Sequence, residues 1–310
     1  MEGGGRWRAM EPTLADNPAP PARKRPVPAN ARAIVLFNPK AGSVSPGDRE
    51  KLVEVLVAAG VSKHEIVPVE RMSRRFFSRA GKFDVIIVLG GDGTARAAAE
   101  LSDRNGPPLM LLPGGTLNIL PRALYGERAW PEALKEALEV GEVTRLTAGR
   151  ANGEAFYVAA LFGAPTLMAK AREAMRAGRV LAAWRRFNHA IKRSFTRSLR
   201  ARADRAPMQR AEAIGILCPS FSGGIHSDSL EWVKLDAKHI LDLARVSIRA
   251  LTAGWRNDSS VEISACRTSD IVSLGAIPAT LDGEPRTYFH RVRITFEPRG
   301  PRVIALPQES

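Results

Sequence analysis

Three glycine-bearing stretches and one late acidic turn hold the residue types that handle phosphate. Gly90-Gly91-Asp92-Gly93-Thr94 follows the apolar run 85–89, and Pro113-Gly114-Gly115-Thr116-Leu117-Asn118 follows the run 109–112. Asn38-Pro39-Lys40-Ala41-Gly42-Ser43 follows a third run, 33–37. Glycine lets backbone N–H groups approach an anion closely, and a helix beginning there offers the anion its N-terminus. Asp92 is the unusual member. A carboxylate among phosphate-binding amides repels phosphate unless a cation stands between them, so Asp92 reads as a Mg²⁺-linked residue. A capping aspartate in a tight turn is the plainer alternative. Near the other end of the chain, Asp282-Gly283-Glu284 can place two carboxylates in one small volume. One could accept a proton from a weakly nucleophilic hydroxyl while the other orients it or binds metal. Its plainer alternative is a hairpin turn.

Two common nucleotide motifs are excluded. No Gly-x4-Gly-Lys-Ser/Thr occurs, and Gly91-x-Gly93 is followed by Arg96 where a dinucleotide fingerprint needs glycine.

The elements that must position these residues alternate strand and helix from residue 33. Strands are expected at 33–37, 65–69, 85–89 and 109–112. Helices are expected after Asp48, over 73–80, over 94–101 and over 131–139. This is an α/β pattern, a parallel-sheet nucleotide-binding domain with helices on both faces, whose ligands sit beyond the carboxyl ends of the strands. After residue 142 the texture changes to short β-like runs: 145–150, 155–161, 213–217, 261–266, 271–274 and 291–296. Helical stretches at 167–202 and 236–253 interrupt them. The expectation is a β-rich, sandwich-like second domain with helical insertions. The boundaries read as a disordered Pro/Ala-rich tail over 1–30, a nucleotide-binding domain over 31–141 and a β-rich domain over 142–306, whose last strands can return to the first domain.

Composition narrows the partners. The chain has 310 residues, 45% of them hydrophobic, with no run long enough to span a membrane as a helix and no secretory h-region. Two cysteines make neither a disulfide framework nor a zinc site. The expected location is the cytoplasm. Net charge is +14, and residues 170–210 hold thirteen basic side chains against two acidic ones, so an anionic partner is expected. Leu181, Trp184, Phe187, Ile191, Phe195 and Leu199 recur at helical spacing, with Arg185, Arg186, Lys192, Arg193, Arg197 and Arg200 between them. That amphipathic helix can lie on an anionic membrane at its inner face, or pack its stripe inward and leave its charges in water. No nucleic-acid module surrounds it, so no nucleic acid is expected.

Taken in order, the glycine turn at 90–94, the loop at 113–118 and Leu281-Asp282-Gly283-Glu284-Pro285 resemble the diacylglycerol kinase catalytic family, which includes sphingosine and ceramide kinases and bacterial lipid kinases. The resemblance covers residues 32–306. It implies an ATP-dependent kinase that phosphorylates a hydroxyl of a membrane lipid, with ATP and Mg²⁺ bound in a cleft between two domains. It also implies that Gly90, Gly91, Asp92, Gly93 and Thr94 cradle ATP phosphates and that Asp92 organises Mg²⁺. Asn38, Gly115, Thr116 and Asn118 are implied to contact nucleotide, and Glu284 or Asp282 to act as the base. Asp228 falls at a family metal position, where Asp228-Ser229-Leu230-Glu231 replaces the usual Asp-Gly. The glycine turn alone is also shared with NAD kinases, so a kinase of a soluble substrate such as NAD is one alternative. A non-catalytic membrane-binding protein on the same scaffold is another.

Overall fold

The computed structural model describes residues 26–28, 30–61, 63–163, 199–219, 228–235 and 261–307. The chain opens with β1 (Arg32–Phe37), α1 (Asp48–Ala58), β2 (Lys63–Pro68), α2 (Arg74–Arg79), β3 (Val85–Gly90), α3 (Asp92–Leu101), β4 (Leu109–Pro113), α4 (Ile119–Tyr125), α5 (Trp130–Val140) and β5 (Glu142–Arg145). β3 and β4 are buried at every residue, and β1 at all but Arg32. Continuous apolar runs of this kind belong to central parallel strands covered on both faces. The helices start where the sequence permits: Ser73 Oγ accepts from Phe76 N at the head of α2, and Pro131 occupies the first turn of α5.

The remaining strands are β6 (Ala148–Ala151), β7 (Glu154–Phe156), β8 (Ala159–Gly163), β9 (Leu199–Ala203), β10 (Gln209–Ala211), β11 (Ala213–Leu217), β12 (Leu230–Leu235), β13 (Val261–Cys266), β14 (Thr268–Leu281), β15 (Glu284–Glu297) and β16 (Arg302–Ala305). They make two sheets. The first has the order β2-β1-β3-β4-β16-β5, parallel except for β5. The second runs β13-β12-β11-β8-β14-β15-β6-β7 and is antiparallel. One edge of β14 pairs with β15, while its other edge pairs with β9 near its start and β8 near its end. The sheet thereby curls around Phe156, Phe162, Trp232, Ile271, Val292 and Ile294. Trp232 on β12 donates its indole N–H to Ser269 Oγ on β14, 3.1 Å away.

This is the expected fold class, with differences at particular elements. The run expected as one strand over 145–150 is divided between the sheets: β5 ends the first and β6 joins the second. The boundary expected at 141/142 therefore falls one strand early. β16 does return to the first sheet. Both passages between the sheets lie side by side, tied by Leu146 N to Pro301 O (3.0 Å) and Gly300 N to Leu146 O (2.8 Å). The end of the helix expected over 167–202 is instead strand β9, in which buried Leu199 and Ala201 alternate with more exposed Arg200 and Arg202. The rest of that helix, and the one expected over 236–253, lie outside the described residues. Helix α4 and strand β12 were not foreseen.

Candidate active site

The carboxyl ends of β1, β3 and β4 carry the three glycine-bearing loops, and the loops pack on one another through backbone. A methyl placed on Gly115 would stand 2.7 Å from Gly91 Cα, and one on Gly114 would stand 3.0 Å from Gly90 N. No side chain fits at that spacing, so both glycines are required by contact rather than by dihedral angle. Gly114 N donates to Gly90 O (2.9 Å). The first loop is tied in by Ser43, whose N–H donates to Gly114 O (2.9 Å) and whose hydroxyl donates to Gly115 O (3.0 Å). Asn38 Nδ2 donates to Thr94 Oγ1 at 3.2 Å. Asn118, at φ 52°, shapes its own loop: its Oδ1 accepts from Gly115 N (2.6 Å) and its Nδ2 donates to Gly115 O (2.9 Å). Thr116 is exposed beside Gly42. Asn38, Gly90, Gly91, Asp92, Gly93, Thr94, Gly115, Thr116 and Asn118 therefore gather in one crevice.

Asp92 is the first residue of α3, and its Oδ1 faces the start of α4, accepting from Leu120 N at 3.4 Å. Burial pushes its carboxyl above the ordinary value, and the amides of Ile119, Leu120 and Asn118 pull against that shift without cancelling it. The capping role survives in an altered form, since the helix being capped is α4.

The acidic turn arrives from the second sheet. Asp282 (φ 48°) and Gly283 (φ 82°) form the two-residue link between β14 and β15, with both residues left-handed as a tight hairpin needs. The two carboxylates of this turn have different surroundings. Asp282 is 3% exposed. Its Oδ2 accepts from Tyr157 N (2.8 Å), and its Oδ1 accepts from Val158 N (2.8 Å) and Ala159 N (3.0 Å). Burial raises its pKa against the pull of those three amides. With both oxygens committed to backbone, Asp282 fixes the turn against the segment between β7 and β8.

Glu284 reaches the glycine turn itself. Its Oε1 lies against Gly93, where a methyl would stand only 2.5 Å away and would push the carboxylate aside. Its Oε2 accepts from Arg96 Nη2 (2.9 Å) and Arg286 Nη2 (3.1 Å). The same two arginines hold Glu154 Oε1, at 2.9 Å and 2.7 Å. Burial alone would raise the Glu154 carboxyl, but the two guanidiniums outweigh it and hold the group below its ordinary value. Tyr288 Oη donates to Glu154 Oε2 at 3.4 Å, and burial together with that carboxylate pushes the phenol up to about 12.

Sequence reasoning missed Arg96, Glu154, Arg286 and Tyr288. A signal was present for two of them: Glu284, Arg286 and Tyr288 alternate along one strand and so share a face. Asp228 sits apart from the crevice. It is 72% exposed and pairs with Arg267 Nη2 at 3.1 Å. No group of three or more His, Cys, Asp or Glu suited to a metal occurs among the described residues. Trp184, Arg185, Arg186, Lys192, Arg193 and Arg197 lie outside the described residues. Among the described residues no helix is long and apolar enough to cross a membrane.

Residues 32–151 match the family model of the diacylglycerol kinase catalytic domain. Among solved structures, a diacylglycerol kinase from Bacillus anthracis str. Sterne aligns with TM-score 0.63 at 17% identity, over 89% of this chain and 97% of that one. A second chain from that organism, named provisionally for the same activity, gives 0.67 at 19% identity, over 90% and 97%. An NAD kinase from Archaeoglobus fulgidus in complex with ATP is a looser likeness, with TM-score 0.49 at 14% identity, over 88% and 92%. No curated protein matches the chain in sequence. At such identities the solved structures speak for the fold alone, and the family model speaks for the chemistry. The match of residues 32–151 to a kinase catalytic domain supports an enzyme of the phosphotransferase class.

Proposed function

We propose that the protein is an ATP-dependent lipid kinase, transferring the γ-phosphoryl group of ATP to a hydroxyl of a membrane lipid of the diacylglycerol or ceramide/sphingoid type. The observation that carries this reading is the contact between Glu284 Oε1 and Gly93, which sets a carboxylate from the far end of the chain at the phosphate-binding turn.

ATP phosphates lie across Gly90–Thr94, where helix α3 begins, beside the loop Gly115–Asn118 that packs against it. The acceptor hydroxyl approaches Glu284 Oε1. As its oxygen bonds to the γ-phosphorus, the bond from that phosphorus to the β-phosphate bridge breaks and ADP leaves. The hydroxyl proton passes to Glu284. Asp282 does not take this proton, because its oxygens are engaged by Tyr157, Val158 and Ala159. The donor set fits a magnesium ion held mainly by substrate phosphates: Asp92 would supply one carboxylate beside the glycine turn. Bound there, the ion would neutralise charge on the triphosphate. We place the enzyme at the inner face of the membrane, where the basic segment 170–210 meets anionic lipid.

The test is ATP turnover against mixed micelles containing diacylglycerol, ceramide or a sphingoid base, with NAD as the soluble acceptor. Phosphorylation of one of the lipids, lost in Glu284→Gln, is expected. Phosphorylation of NAD alone would overturn the lipid assignment.

A further inference from the structure

Arg96, Glu154, Glu284 and Arg286 close a four-membered ring of alternating charge at the crevice. Arg96 stands on α3, packed on the first sheet, one turn after Asp92, and the other three belong to the second sheet. Each arginine bridges the same two carboxylates, Glu154 through Oε1 and Glu284 through Oε2. The Arg96 side chain is 14% exposed, and its Nε is buried with no hydrogen-bond partner.

As a device for stability the ring is poorly made. A buried ion pair is roughly neutral against well-packed apolar residues, and an orphaned buried N–H is unfavourable. Its geometry has a more specific result. Both guanidiniums converge on Oε2 of Glu284, so Oε1 is the oxygen left to face Gly93. A carboxylate on a partly exposed side chain can otherwise rotate about its last torsion and present either oxygen, or swing away altogether. Arg286 sits on the same strand as Glu284 and moves with it. Arg96 alone in the ring refers the carboxylate to the helix that begins at the glycine turn.

We propose that Arg96 is a positioning residue for Glu284. It holds Oε2 so that Oε1 stands at the phosphate-binding turn, and Glu154 in turn holds Arg96 in place. This rests on Glu284 acting as the base. Loss of Arg96 leaves the base present but unaimed, and misplacement on the order of 1 Å costs about 10²-fold in rate.

The experiment is a double-mutant cycle on Arg96→Ala and Glu284→Gln, using ATP turnover with diacylglycerol, ceramide and sphingoid-base micelles. Arg96→Ala is expected to lower kcat by about 10- to 100-fold with KM for ATP changed less than about threefold. Arg96→Lys recovers part of the loss. In the Glu284→Gln background Arg96→Ala adds less than about threefold, because the group it aims is gone. If Arg96→Ala does not fold, Glu154→Gln, isosteric and still an acceptor, gives a smaller fall that also vanishes in that background. Two results overturn the inference: kcat unchanged in the Arg96 and Glu154 variants, or a loss of equal size in both backgrounds. Wild-type turnover in Glu284→Gln, or no transfer to any of these lipids by the wild type, would instead overturn the functional reading beneath it.

Discussion

The two walls of the crevice are built on opposite principles. On the side of the parallel sheet the wall is backbone: the loops pack so closely that a methyl on Gly115 would stand 2.7 Å from Gly91 Cα. On the side of the hairpin, function lies in side chains, with one carboxylate locked by amides and the next one held by arginines. Backbone walls gain rigidity from close approach and tolerate no added atom. Side-chain walls gain position from charge and tolerate shape changes but not charge changes. Within the hairpin the contrast repeats over two residues, since backbone amides hold Asp282 while arginines hold Glu284 against Gly93.

Four substitutions probe this contrast, in decreasing order of expected effect. Glu284→Gln keeps the shape and removes the base, so phosphoryl transfer should fall by about 10²- to 10⁴-fold, while the melting temperature changes little. Steady-state turnover and a thermal melt check both halves. Asp282→Ala should do the reverse. One buried and two part-buried amides lose their acceptor, and urea unfolding should show a loss of about 3 kcal/mol. A fully stable Asp282→Ala protein without activity would move Asp282 from the fold to the chemistry. Gly115→Ala adds one methyl against the Gly91 backbone and should cost about 1–3 kcal/mol of stability, with weaker nucleotide binding by calorimetry.

The smallest effect concerns Asp92. Its pKa is raised in the folded state, so the folded chain holds that proton more tightly than the unfolded chain does. The resulting stabilisation is complete below the ordinary value of 3.8 and is lost as pH rises through the folded-state value. Asp92→Asn should therefore melt higher than the wild type at neutral pH, by on the order of 1–3 °C. The two curves should converge in acid. Under the magnesium reading the same variant loses turnover, so its gain in stability comes with loss of function.

The same contrast governs what was legible in the sequence. The backbone wall was readable because its signals are local: a buried apolar strand, then glycine, then a helix start. The residues expected there stand together where the loops after β1, β3 and β4 pack on one another. Glu284 was readable only through resemblance, and its partners Arg96 and Glu154 not at all, because the ring depends on how two sheets meet. Asp282 and Glu284 could not be told apart by type, since only the hairpin geometry sends one inward and the other to the crevice. The strand at Leu199–Ala203 was misread because Leu199 continues the helical spacing of Ile191 and Phe195, which outweighed the alternation of leucine, arginine and alanine. The division between β5 and β6 left no apolar mark, since β5 is exposed along its whole length.

Strand β16 has a temporal consequence. It inserts between β4 and β5, its Ile304 carbonyl receives the buried Tyr125 hydroxyl, and Leu306 N donates to Leu124 O. On the ribosome, β1 to β5 are synthesised first, but their sheet lacks this strand until residues 302–305 have emerged. Until then β4 has an open edge, so the nascent chain must be shielded from pairing with strands of its neighbours.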